Sequence, residues 1–114
     1  MPMNIDLSIA LARVEDDRQL LAELIAMFVQ DCPGLLEEAR KSIALQDCPG
    51  LERAAHTLKG RLGFVGIQGA REQASNLETM GRTQDLTGAR ETLDGLDAEM
   101  KSILPEIESL TRDL

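Results

Sequence analysis

Leu, Ile, Ala and Met recur at helical spacing along most of this chain, and no stretch alternates apolar and polar residues as a half-buried strand would. Six helical segments are predicted. A short one covers about Asp6–Val14, with Ile5, Ile9, Leu11 and Ala12 as apolar contacts. The polar run Glu15-Asp16-Asp17-Arg18 separates it from a long second segment, about Arg18–Leu45. There Leu21, Leu24, Phe28, Leu35, Leu36, Ala39 and Ile43 share a stripe. Pro33-Gly34 lies inside that segment. Proline has no N–H to give the preceding turn, which predicts a kink or a short break. The third segment, about Leu51–Val65, carries Ala55, Leu58, Leu62 and Val65. The fourth, about Gly69–Met80, turns Ala70, Ala74 and Leu77 inward, and "GRTQD" reads as the turn that ends it. The fifth, about Leu86–Leu104, has the cleanest stripe: Leu86, Ala89, Leu93, Leu96, Met100 and Ile103. Pro105 then suits the start of a last short helix. Long amphipathic helices joined by short polar turns predict an all-α fold, an antiparallel four-helix bundle with a short additional N-terminal helix. With no low-complexity tract to divide it, residues 1–114 read as one domain.

Composition narrows what such a bundle could do. The formal net charge of −8 argues against nucleic acid or an anionic membrane as partner, since both reward clustered positive charge. No apolar run reads as long enough to span a bilayer and no signal-peptide pattern opens the chain, so a cytoplasmic location without membrane insertion is expected. The two cysteines, Cys32 and Cys48, sit in a repeated hexapeptide, "QDCPGL", at 30–35 and 46–51. A disulfide or a metal site is the sharp reading of the pair. Two cysteines and one histidine without a Cys-x-x-Cys pair make a poor zinc site, and a reducing compartment disfavours the disulfide. Pro-Gly as a turn or helix start, with Cys as a small apolar filler, accounts better for the repeat.

The one histidine, His56, lies in "AHTLKGRLGFVG" on the third segment. At about 100° per residue, His56, Lys59, Gly60 and Gly63 share one stripe of the helix. Leu58, Leu62 and Val65 lie on another side, so leucines that face the core leave His56 facing out. Each glycine inside a helix costs roughly 1 kcal/mol relative to alanine. Gly60 and Gly63 read equally as clearance for a docking macromolecule and as allowance for tight helix packing. Lys59 one turn after His56 and Arg53 one turn before it make a positive spot in an acidic chain. Such a spot would stabilise an anion at the imidazole, and a neutral imidazole nitrogen is a good nucleophile toward phosphorus. An ordinary solvated face is the plainer account of the same charges.

These residues resemble a known signature. "AHTLKG" followed by Gly63 and Gly66 is similar to the phosphorylation motif of histidine-containing phosphotransfer (HPt) domains. The likeness extends over almost the whole chain. Its blocks are Ile5-Asp6-Leu7 with Ala10–Val14; Leu20, Leu21, Glu23, Leu24 and Phe28; Asp31, Pro33, Leu35 and Leu36; and Ala74, Leu77 and Glu78. Each block is weak alone; their order and spacing carry the match. The resemblance implies a four-helix bundle with His56 exposed midway along one helix as phosphoacceptor through Nε2. It also implies Lys59 as the group that neutralises the phosphoryl, and Gly60 and Gly63 as room for the partner. Glu78 stands where some relatives place a side chain that hydrogen-bonds Nδ1, with Glu52 a rival for that role. Arg61 departs from the family pattern, which often has a small residue there. It is expected, with Arg53, to touch the partner.

Enzyme and carrier are the two broad options. A histidine kinase typically follows its histidine with an acidic residue; here Thr57 follows, and no P-loop is present. ATP-dependent autophosphorylation is therefore not expected. In the carrier reading the phosphoryl arrives from an aspartyl phosphate on a response-regulator receiver domain or a hybrid sensor kinase, and leaves to another receiver. The receiver supplies the Mg²⁺, and this chain, as a monomer, has no cofactor of its own. Two other readings remain. One is a binding or scaffold module whose histidine is never phosphorylated; the other is the phosphoacceptor module of a chemotaxis-type kinase.

Overall fold

The computed structural model describes residues 7–114, so the expected contacts of Ile5 and Asp6 lie outside the described residues. Five helices follow in order: α1 (Ser8–Arg13), α2 (Arg18–Ala44), α3 (Cys48–Val65), α4 (Gln68–Thr83) and α5 (Ala89–Arg112). No strand occurs among the described residues. Helices α2 to α5 pack each against the next, and α5 closes the ring against α2. The connections are short, so neighbours run antiparallel and the four long helices form the expected bundle. The core is built from Leu21, Ile25 and Phe28 of α2, Leu51, Leu58 and Leu62 of α3, Ala74 and Leu77 of α4, and Leu93, Leu96, Met100 and Ile103 of α5.

Both prolines expected to interrupt or start a helix instead lie within one. α2 runs unbroken through Pro33 and α5 through Pro105, so the described residues form five helices rather than six. Both proline rings are exposed. Water can then solvate the carbonyl that each proline leaves without its helical donor, while the flanking core residues hold the helix together. By length and composition alone, α2 is long and apolar enough to cross a membrane. That corrects the expectation that no apolar run is long enough. In the bundle its apolar stripe, Leu21, Ile25, Phe28, Cys32, Leu36 and Ala39, is buried.

The two copies of "QDCPGL" fold differently. Residues 30–35 lie in mid-helix, with Cys32 in the core, where burial pushes its thiol up to about 12. In the second copy Gln46 adopts φ 55° and breaks the chain direction, and Asp47 caps α3 by accepting the Gly50 N–H at 3.0 Å. α3 thus starts at Cys48, three residues earlier than expected, with Pro49 in its first turn. Both cysteines are free.

Three smaller expectations are corrected. Ile9, expected to contact the core, is 58% exposed on the short α1. α4 continues to Thr83, so the turn begins at left-handed Gln84 and Gly81 is helical. α5 begins only at Ala89, after left-handed Gly88, which leaves Leu86 in the connection.

Candidate functional site

α3 carries the site because its two ends are fixed. Asp47 caps the start; at the other end Gly66 takes φ 78°, and the Ile67 N–H closes onto the Leu62 carbonyl at 3.0 Å. A left-handed glycine with that bond ends the helix cleanly. The buried Leu51, Ala55, Leu58 and Leu62 set the helix's rotation. His56 then projects outward, its side chain 69% exposed, as the leucine stripe required.

α4 comes unusually close to α3 beside this histidine. A Cβ on Gly81 would lie 2.7 Å from the Glu52 amide nitrogen and 2.8 Å from the Cys48 carbonyl oxygen. Only a glycine permits that backbone contact. It brings Glu78, one turn earlier on α4, within reach of α3. Glu78 is buried, its side chain 9% exposed, and its two carboxylate oxygens divide the work. Oε2 lies 2.6 Å from His56 Nδ1, and Oε1 accepts from Lys59 Nζ at 2.5 Å. The Lys59 ammonium holds the Glu78 carboxyl below the usual glutamate range; burial opposes this, and the bond to His56 assists it. An ionised carboxylate can only accept, so Nδ1 is the donor. The neutral ring then keeps its lone pair on Nε2, which has no hydrogen-bond partner among the described residues.

The contact at Nδ1 is therefore made by Glu78 and not by its rival Glu52. Lys59 lies with His56 on one face, as its spacing required, with one of its three donors committed to Glu78. Gly60 opens onto free space, with nothing within 4 Å of where a Cβ would stand. Gly63 does not. The Arg71 side chain from α4 lies 3.1 Å from the corresponding point, and Arg13 of α1 donates to the Gly63 carbonyl at 3.1 Å. The space left by Gly63 is filled from within the chain, which corrects its expected role as room for a partner. Arg53 is exposed and borders a groove of about 380 Å³ that also takes in Lys41, Ser42 and Thr57. Arg61 points to α2, where it pairs with Asp31 at 2.9 Å. On the apolar side of the site, Met27 is 53% exposed and Phe64 half-buried. Ile25 and Ile67 belong to the core.

Sequence reasoning missed Gly81, Arg71, Arg13 and the Asp31 partner of Arg61. Gly81 had a visible signal: it continues the inward stripe of Ala74 and Leu77 at helical spacing. Among the described residues no group of three or more His, Cys, Asp or Glu side chains could hold a metal ion.

A bundle with an exposed histidine, oriented by a buried carboxylate and flanked by lysine and glycine, defines a phosphotransfer module. The comparisons agree. A family model, the Hpt domain, matches residues 23–108, and the chain belongs to that family. Its fold is similar to that of histidine-containing phosphotransfer protein B (HptB) from Pseudomonas aeruginosa PAO1. The crystal structure of that protein superposes with a TM-score of 0.88 at 18% identity, over 100% of this chain and 99% of that one. No curated protein matches the chain. It is a histidine phosphotransfer module of phosphorelays, a class whose partners are receiver domains and kinases.

Proposed function

We propose that this chain carries a phosphoryl group on Nε2 of His56, taking it from the aspartyl phosphate of one receiver domain and passing it to another. The observation that carries this reading is the Glu78 carboxylate at 2.6 Å from Nδ1, which leaves the nucleophilic lone pair on the exposed nitrogen. In transfer, the Nε2 lone pair attacks phosphorus, and the bond from phosphorus to the aspartyl oxygen breaks with its electrons going to the receiver carboxylate. No proton moves. The phosphorylated ring keeps its Nδ1 proton and becomes cationic, and the buried Glu78 charge offsets that cation in place. Reversal of the same steps discharges the group to the next receiver. Lys59, one turn along, has further N–H donors for the phosphoryl oxygens. Gly60 leaves bare helix where the receiver closes over the ring. The Mg²⁺ that such a transfer uses belongs to the receiver.

The test is incubation with a panel of phosphorylated receiver domains, with ATP alone alongside. The expected result is label that is labile to acid and stable to base, present with at least one receiver, absent with ATP and absent in His56→Gln. Label retained in His56→Gln would reject the assignment. Tight receiver binding without any label would support the scaffold alternative.

A further inference from the structure

We infer that Arg61 selects the partner receiver by pairing with one of its carboxylates, and that Asp31 is the internal competitor for that pairing. The inference rests on the carrier reading above.

Arg61 lies on a ridge between two grooves of the α2–α3 face. On one side Leu24, Met27, Phe28 and Phe64 line an apolar groove of about 220 Å³ that reaches Gly60. On the other, Gln30, Gly34, Leu35 and Glu38 line a polar groove of about 340 Å³. Arg61 and Asp31 border the polar groove together. Gly60 is one turn from His56 on the same stripe, so a protein that covers the imidazole and Gly60 meets the apolar groove next and the Arg61 ridge at its edge.

The partner's chemistry follows from charge. The chain carries −8, and that net charge disfavours an acidic partner. Yet the group to be transferred is an anion held on a carboxylate side chain, so the partner is acidic around its reacting residue. Arg61 is a cation that lines the apolar groove itself. Its pair with Asp31 is open to water, with the Arg61 side chain 37% and the Asp31 side chain 44% exposed, as in a rim rather than a core pair. Such a pair holds its members weakly and is exchanged at little cost. It keeps Arg61 extended across the groove until a better-placed carboxylate arrives.

A competitor and a ligand respond with opposite sign, which a structural ion pair does not do. The measurement is KM for transfer from a panel of phosphorylated receiver domains, over a range of salt concentrations. Arg61→Gln is expected to raise KM roughly three- to tenfold for the receivers the chain prefers, and to flatten the dependence of KM on salt. Asp31→Asn is expected to lower KM for the same receivers. Thermal melts of the two variants report the structural role separately, since losing either member should shift the midpoint in the same direction. KM moving the same way in both variants, or in neither, would overturn the inference while leaving the carrier reading intact. If no receiver transfers phosphate to the unaltered chain, the carrier reading falls and this inference falls with it.

Discussion

Glu78 on α4 grips Nδ1 of His56 on α3 at 2.6 Å while its other oxygen holds Lys59 at 2.5 Å. One buried carboxylate thus fixes the tautomer of an otherwise exposed ring, and one ammonium keeps that carboxylate ionised. A hydrogen bond to a charged group is worth about 1.5–3 kcal/mol, and each 1.4 kcal/mol is tenfold in rate or equilibrium. Glu78→Ala is therefore expected to slow phosphotransfer on the order of tenfold or more. Nitrogen NMR of the imidazole should show the proton on Nδ1 in the unaltered chain and a shift toward the Nε2–H form in the variant. An unchanged tautomer would remove Glu78 from the mechanism.

Lys59→Met separates two roles of the lysine. Without the ammonium, the chief influence that lowers the Glu78 carboxyl is gone, and burial pushes it up. Transfer should slow, and its loss toward acid should begin at higher pH than in the unaltered chain. A slower rate with the acid limb unmoved would assign Lys59 to the phosphoryl group alone.

Two helical glycines should respond oppositely to alanine. At Gly81 the new methyl meets the backbone of α3 at 2.7–2.8 Å, and neither helix can yield cheaply. Overpacking of this kind costs about 1–3 kcal/mol, and it would also draw Glu78 away from His56. At Gly60 nothing lies within 4 Å, so alanine should stabilise the fold by about 1 kcal/mol through helix propensity. The same Gly60→Ala chain should take phosphate from a receiver more slowly, because the methyl stands where the partner closes. Denaturant melts and transfer rates check both; equal or faster transfer would remove Gly60 from the docking surface.

Two glutamates give stability opposite dependences on pH. The Glu78 carboxyl is lowered in the fold, so its contribution is present above the ordinary glutamate value of about 4.3 and is lost as pH falls through the lower folded value. Burial raises the Glu99 carboxyl on α5, and its buried Oε2 has no hydrogen-bond partner. Its relative contribution is favourable below about 4.3 and is lost as pH rises through the raised folded value. Glu99→Gln should therefore raise the melting temperature at pH 7, and the gain should shrink as pH falls toward 4. A gain that stays constant with pH would show that charge burial is not its cause.

Much of the site was legible because it follows from one helix. The 3.6-residue repeat that turns Leu58 and Leu62 inward also turns His56 outward and aligns Lys59 and Gly60 with it. What depends on a second helix was not legible in that way. Gly60 and Gly63 look alike in sequence, but only the placement of Arg71 on α4 and Arg13 on α1 shows that the second is covered. Glu52 and Glu78 were rivals until the Gly81 crossing showed which carboxylate comes to Nδ1. The prolines misled for the converse reason. Pro33 and Pro105 carry a strong local signal for a break, but each lies exposed on a helix whose neighbours are anchored in the core. Tertiary burial outweighs the one hydrogen bond each proline removes.

The most direct test is to phosphorylate the chain from a receiver domain and locate the phosphorus by phosphorus and nitrogen NMR. The account requires a single phosphoramidate bond at Nε2 of His56, with the Nδ1 proton still present and bound to Glu78. Phosphorus on Nδ1, or on any other residue, would contradict it.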